Sequence, residues 1–269
     1  MSFKSLVTLV EPLPGSETPP HLSWAMTLAA GFDAHLTTLL FATEVMEATP
    51  AQGDADPEAL ERATASRIEA EAARLGVSCA IVGRSSFAYG FPEVFADHAK
   101  LSDLSVIGYG GTPTAAQRML VAGAIFSSGR PVLMVPQVAR AAAMPRRVAI
   151  AWNATTASVR AVHCALPLIR RAEEAVVISV TDDMETRRGQ SGVELTHLLA
   201  RHGATASFRA VLRGRQCVFD TVMAAAAEAG ADLLVMGGIG HSPLHKLVFG
   251  SATNDLLDGR ARLPVLAAG

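Results

Sequence analysis

A chain of 269 residues has room for one large domain or for two of about 130 residues each. Half of it is hydrophobic and 18% is charged, which excludes a disordered chain and allows a sizeable core. The formal net charge of −2, with no basic block, argues against nucleic acid or an anionic membrane surface as the main partner.

The first residues, Met1-Ser2-Phe3-Lys4, lead directly into a strand-like run rather than a signal-peptide core. Strand-sized apolar runs then predict strands at residues 6–10, 35–41, 78–82, 104–107 and 132–135. The clearest helix covers residues 56–75. Asp56 can cap it and Pro57 suits its first position. Leu60, Ile68 and Leu75 share one face, and Gly76 ends it. Strands alternating with helices imply βαβ crossovers and a mainly parallel sheet.

The order then repeats, with strands expected at residues 148–152, 176–180, 206–211, 233–236 and 265–267. A helix at residues 192–202 is separated from the third of these by Gly203. Asp103-Leu104-Ser105-Val106-Ile107-Gly108 lies 129 residues before Asp232-Leu233-Leu234-Val235-Met236-Gly237, and Pro131-Val132-Leu133 has its counterpart in Pro264-Val265-Leu266. We read an internal duplication with its boundary in residues 137–147, giving domains 1–140 and 141–269.

The most informative stretch follows the fourth strand of the second half. Gly237 leaves that strand at the edge where open parallel sheets bind ligands, and Gly240 follows it. Gly250-Ser251 then opens a helix expected over residues 252–258. Its free first amides, the helix dipole and the Ser251 and Thr253 hydroxyls together suit an anion, most naturally phosphate. The bland alternative is a glycine-rich turn with Ser251 as a plain helix cap. No GxxxxGK[ST] occurs, and Pro243 spoils the dinucleotide fingerprint that Gly238-Ile239-Gly240 begins.

Gly237-x2-Gly240-x9-Gly250-Ser251 matches the G-2x-G-9x-G(S/T) motif of the ATP-binding branch of the universal stress protein (UspA-like) family, without gaps. The chain resembles that family over essentially its whole length. The resemblance implies an α/β fold of two tandem doubly wound domains, each a five-stranded parallel sheet flanked by helices, paired as a pseudo-dimer through residues 132–135 and 265–267. A further homodimer is compatible with it. It also implies ATP as cofactor, with or without magnesium. Ala151, Trp152 and Asn153 would meet adenine, and Val180 would lie along the base or ribose. Met236 and Gly237 would approach the ribose and α-phosphate, with Gly240 at the phosphates. Gly250, Ser251, Ala252 and Thr253 would hold the remaining phosphate oxygens. Asn153 stands where the family usually has Asp, and an amide still offers an acceptor and adds donors.

The first half departs further. Gly108 and Gly111 repeat the first glycine pair, but Val121 and Ala122 stand at the Gly-Ser positions, Gly123 comes two residues late, and Glu11 takes the Asp position. That half is expected to fold and pair but to bind nucleotide poorly.

Other candidates are weaker. His241 and His245 are four apart, but Pro243 lies between them and no Cys or carboxylate completes a zinc set; His241 fits better as a donor near phosphate. Asp182-Asp183 reads as a solvated turn ahead of a magnesium site, His197 and His202 read as surface residues, and Lys246 could reach a terminal phosphate or solvent. Cys79, Cys164 and Cys217 are scattered, without a CxxC pair, which suggests a reducing compartment. No apolar run approaches a membrane span, so a soluble, cytoplasmic protein is expected. There is no GxSxG, and Asn153-Ala154-Thr155-Thr156 is not the SGGxDS loop of the related pyrophosphatase-type enzymes. The expectation is a nucleotide-responsive stress or regulatory protein with no catalytic residues; slow ATP hydrolysis and a tandem pair that binds nothing are the alternatives.

Overall fold

The computed structural model describes residues 2–12, 17–41, 56–83, 91–139, 142–181, 192–238 and 255–269. The first half runs β1 (Ser5–Val10), α1 (Pro20–Phe32), β2 (His35–Leu40), α2 (Pro57–Leu75), β3 (Cys79–Val82), α3 (Phe91–Lys100), β4 (Leu104–Gly108), α4 (Ala115–Ser127) and β5 (Val132–Val135). The second runs β6 (Arg147–Ala151), α5 (Thr156–Ile169), β7 (Glu174–Val180), α6 (Gly192–Arg201), β8 (Ala206–Val211), α7 (Val218–Glu228), β9 (Leu233–Gly237) and β10 (Val265–Ala268).

Local chemistry sets many of these limits. At α2 the Asp56 carboxylate accepts from the Glu58 amide, Pro57 needs no hydrogen bond at the first position, and Gly76 turns the chain left-handed at φ 67. β5 is buried along its whole length, as a strand covered on both faces must be, whereas the edge strand β8 carries exposed Ser207 and Phe208.

All ten strands form one sheet in the order β3-β2-β1-β4-β5-β10-β9-β6-β7-β8. Every neighbouring pair is parallel except β5 and β10, which meet antiparallel with Leu133 opposite Leu266. The order therefore reads the same from either edge, and the two five-stranded sheets join through the two strands expected.

The faces are shared as well. One core holds Leu22 and Trp24 of α1, Ile68 of α2, Val162 of α5 and Leu199 of α6. The other holds Phe95 of α3, Leu120 and Val121 of α4, and Phe219 and Val222 of α7. Each fully buried Leu, Val or Phe contributes roughly 1.5–3 kcal/mol, and both apolar layers continue across the β5/β10 seam.

One expectation of the duplication is corrected. Val121 and Ala122 do not open a helix: α4 starts six residues earlier at Ala115, and Val121 is wholly buried inside it. Thr114 caps the helix, accepting from the Gln117 amide while the Gln117 side chain accepts from the Thr114 amide. In the second half, residues 255–257 of the expected 252–258 helix are helical, and 252–254 lie outside the described residues. Among the described residues no helix is long and apolar enough to cross a membrane.

Candidate functional site

The strand order reverses between β6 and β9, so their carboxyl ends, with that of β7, frame the crevice where an open α/β sheet takes a ligand. From β6 the chain turns into α5 within four residues. Asn153 Oδ1 accepts from the Thr155 amide at 3.3 Å and from its hydroxyl at 2.8 Å. Ala154 sits between them at φ 57, a conformation non-glycine residues seldom adopt. Thr155 then caps α5, its Oγ1 accepting from the Ser158 amide at 3.3 Å. The residue standing in for the usual Asp thus uses its side-chain oxygen to build the turn.

The sheet divides the residues expected around adenine. Val180 and Met236, both buried, and Ala151, partly buried, belong to the core on the α7 face. Trp152 belongs to the opposite core, on the α5 face. Its backbone is occupied too: its amide donates to Ile178 O at 2.8 Å, and its carbonyl accepts from Ser179 Oγ at 2.9 Å. Ala151, Val180 and Met236 therefore share an apolar wall, while the Trp152 ring is turned away from it. Period-two alternation along β6 carries the signal for this, since Val148, Ile150 and Trp152 fall on one face and Ala149 and Ala151 on the other.

Gly237 is bare for a different reason from the one expected. It is not in the left-handed region. A Cβ there would lie 2.5 Å from Ser158 N and 2.6 Å from Ala157 C, so the first turn of α5 rests directly on its backbone. That packing lies on the α5 face of the sheet, and Ala151, Val180 and Met236 lie on the α7 face. The first half makes the equivalent contact with a larger residue. A Cβ on Gly108 would lie 2.5 Å from His21 Nδ1, and His21 Nε2 donates to Leu9 O at 2.8 Å. Burial lowers the pKa of His21, the Leu9 hydrogen bond opposing it.

Gly240, His241, Gly250, Ser251, Ala252 and Thr253 lie outside the described residues, as do Asp182, Asp183, His245 and Lys246. The chain just beyond the motif is described, and it is held from two sides. Arg260 pairs with Asp255 and with Asp220 of α7, and a guanidinium N–H points to the Cys217 sulfur at 3.7 Å. These carboxylates hold Arg260 firmly in its charged form, Asp255 most of all. From the first half, the Tyr109 hydroxyl donates to Leu257 O. Neither Tyr109 nor Arg260 stands out in the sequence, because each acts by a contact between segments distant along the chain.

Among the described residues no group of His, Cys, Asp and Glu could hold a metal ion. Burial pushes the thiols of Cys79, Cys164 and Cys217 up, away from reactive thiolates. A cavity of about 870 Å³ lies in the first half, at the carboxyl end of β1 and lined by Val10, Glu11, Met26, Arg67, Ile68 and Arg74. It lies four strands from β9 in the sheet, and no glycine is among its described lining residues.

Residues 138–268 match the model of the universal stress protein family. The second half of the chain carries that family's domain. A universal stress protein from Archaeoglobus fulgidus DSM 4304 superposes with a TM-score of 0.65 at 14% identity, covering 97% of this chain and 95% of its own. A putative universal stress protein from Pseudomonas aeruginosa UCBPP-PA14 does so with a TM-score of 0.64 at 14% identity, covering 99% and 93%. These likenesses establish that the whole chain, both halves included, has the tandem universal stress protein fold. No curated protein matches this chain.

Proposed function

We propose that the second half of this universal stress protein binds one ATP, and that nucleotide occupancy regulates its conformation or its choice of partner. The observation that carries the reading is the position of Gly237, with which the sequence motif Gly237-x2-Gly240-x9-Gly250-Ser251 begins. It leaves the end of β9 beside the end of β6, where strand order reverses and an apolar wall of Ala151, Val180 and Met236 is available to a base. The motif's amides and hydroxyls would take the phosphates, with His241 adding a donor. Domains 1–140 and 141–269 would act as an intramolecular pseudo-dimer, and the three free cysteines support a reducing, cytoplasmic setting. ATP turnover is expected far below the ordinary enzyme range of about 1–10³ per second.

Calorimetric titration tests this directly. We expect one ATP per chain, and Gly250→Val with Ser251→Ala should abolish binding without unfolding the protein. Each lost hydrogen bond to a charged group costs about 1.5–3 kcal/mol, roughly ten- to a hundredfold in affinity. Two equivalent sites per chain, or unchanged affinity in the double variant, overturns the proposal.

A further inference from the structure

At the strand ends the two halves carry their bulk on opposite faces of the sheet. Leu6 pairs with Leu104 as Val148 pairs with Leu233, and Leu6 pairs with Leu36 as Val148 pairs with Ala175, so the ends correspond residue by residue. Leu9 then stands where the second half has Ala151, Phe41 where it has Val180, and Val10 where it has Trp152. Leu9 and Phe41 fill, on the α3 and α4 face, the room that Ala151 and Val180 leave on the α7 face. On the other face the exchange is reversed: the second half has an indole and the first an isopropyl group. The cavity of about 870 Å³ lies on that face, with Val10 in its wall. The helix above it is also set differently. In the second half α5 lays its backbone on Gly237, whereas the atoms nearest a Cβ on Gly108 belong to the His21 ring, so a side chain separates α1 from the strand end.

That volume is within the range of small-molecule sites, roughly 300–1,000 Å³. Val10, Leu22, Met26 and Ile68, all buried, give the cavity an apolar floor. Its polar side comes from α2, where the Nε of Arg67 is buried and an Nη2–H donates to Thr64 Oγ1 at 3.2 Å. A guanidinium keeps its charge at all ordinary pH values, and its planar fork of five donors matches a carboxylate. Of the carboxylates in the wall, Glu71 is already held by both arms of Arg74, at 2.8 and 2.6 Å, and Glu17 is exposed. Glu11, at the end of β1, disfavours an anion on its own side, which turns a ligand's charge toward α2. We propose that the first half binds a small molecule with an apolar, ring-sized body and one carboxylate, the body against Val10 and the carboxylate at Arg67. The two halves then use opposite faces of the same sheet edge, and this site stands whether or not the second half binds ATP.

Indole-3-acetate is the probe, since it joins a carboxylate to the ring that the second half carries as Trp152. Ligand-observed NMR on the full chain should give a dissociation constant on the order of 0.1–1 mM, as expected for a ligand of that size. Tryptamine, the same ring with an ammonium group, should bind at least about tenfold more weakly. Val10→Trp should fill the cavity and abolish binding of indole-3-acetate, while Gly250→Val with Ser251→Ala leaves it unchanged. No binding to the unmodified protein, tryptamine binding as tightly, or binding that survives Val10→Trp in a folded chain overturns the proposal. Loss of the probe in the Gly250 and Ser251 double variant places it at the glycine motif and overturns the proposal too. Should Val10→Trp fail to fold, Arg67→Gln decides: affinity for indole-3-acetate should fall about tenfold with that of tryptamine unmoved, and an unchanged affinity for indole-3-acetate sinks the assignment.

Discussion

The two halves make one contact in two ways, and the difference shows how a duplicated fold divides its roles. In each, the first helix after the first strand lands on a glycine at the end of the fourth strand. In the second half Ala157 and Ser158 rest their backbone on Gly237; in the first, the His21 ring rests on Gly108. In the first half a capped helix then starts at Ala115, six residues past Tyr109, after only a short turn.

The largest expected effect tests the tighter contact. In Gly237→Ala the new methyl meets backbone, 2.5 Å from Ser158 N and 2.6 Å from Ala157 C, so α5 itself must move. We expect a loss of about 3 kcal/mol, the upper end for overpacking, read from urea denaturation. Trimming Ser158→Ala should not relieve it, because the obstacle is main chain. A cost below about 1 kcal/mol would mean that α5 does not rest on Gly237.

Gly108→Ala should cost less, about 1–2 kcal/mol, since its obstacle is a side chain. In a His21→Ala background most of that penalty should vanish, giving a coupling of roughly 1 kcal/mol in a double-mutant cycle. Additive costs would break the parallel between the halves.

Both halves showed their strands in the sequence because parallel strands buried on two faces are continuous apolar runs, as in Val132–Val135 and Leu233–Gly237. Helix α2 was legible from Asp56, Pro57 and Gly76 alone. The start of α4 was legible too, for Thr114-Ala115-Ala116-Gln117 is a capping box, but matching Val121-Ala122 to Gly250-Ser251 by offset hid it. The face of the sheet that takes Trp152 follows from alternation along β6, whereas the reach of Tyr109 to Leu257 depends on a pairing of 148 residues' separation that no local pattern encodes.

A smaller effect separates the halves by pH. The Leu9 carbonyl requires a proton on His21 Nε2, and a second proton on Nδ1 would be buried against Gly108. Burial lowers the folded-state pKa below the unfolded value of about 6.5, so the folded state binds fewer protons there. Stability from this site is full above about pH 6.5 and falls as pH drops through the lowered folded value. Melting temperature should therefore decline more between pH 7.5 and 5.5 in the unmodified protein than in His21→Gln. Ala157, the counterpart, has nothing to titrate, and equal slopes would remove His21 as the cause.

The smallest expected effect concerns Asn153, the departure from the family's usual Asp. Its Oδ1 accepts from the amide and the hydroxyl of Thr155, and a carboxylate oxygen can accept both bonds equally well. A negative charge just ahead of α5 also meets the positive end of the helix dipole, a small gain at that distance. Asn153→Asp should thus change stability by no more than about 0.5 kcal/mol and ATP affinity by less than about threefold. Asn153→Ala, which removes the acceptor and leaves Ala154 at φ 57 without its support, should cost about 1 kcal/mol. If Asn153→Asp instead weakens ATP tenfold while the fold holds, the amide donors are what recognise the base. The contrast between the halves would then reside in the β6 turn as much as in the glycine motif.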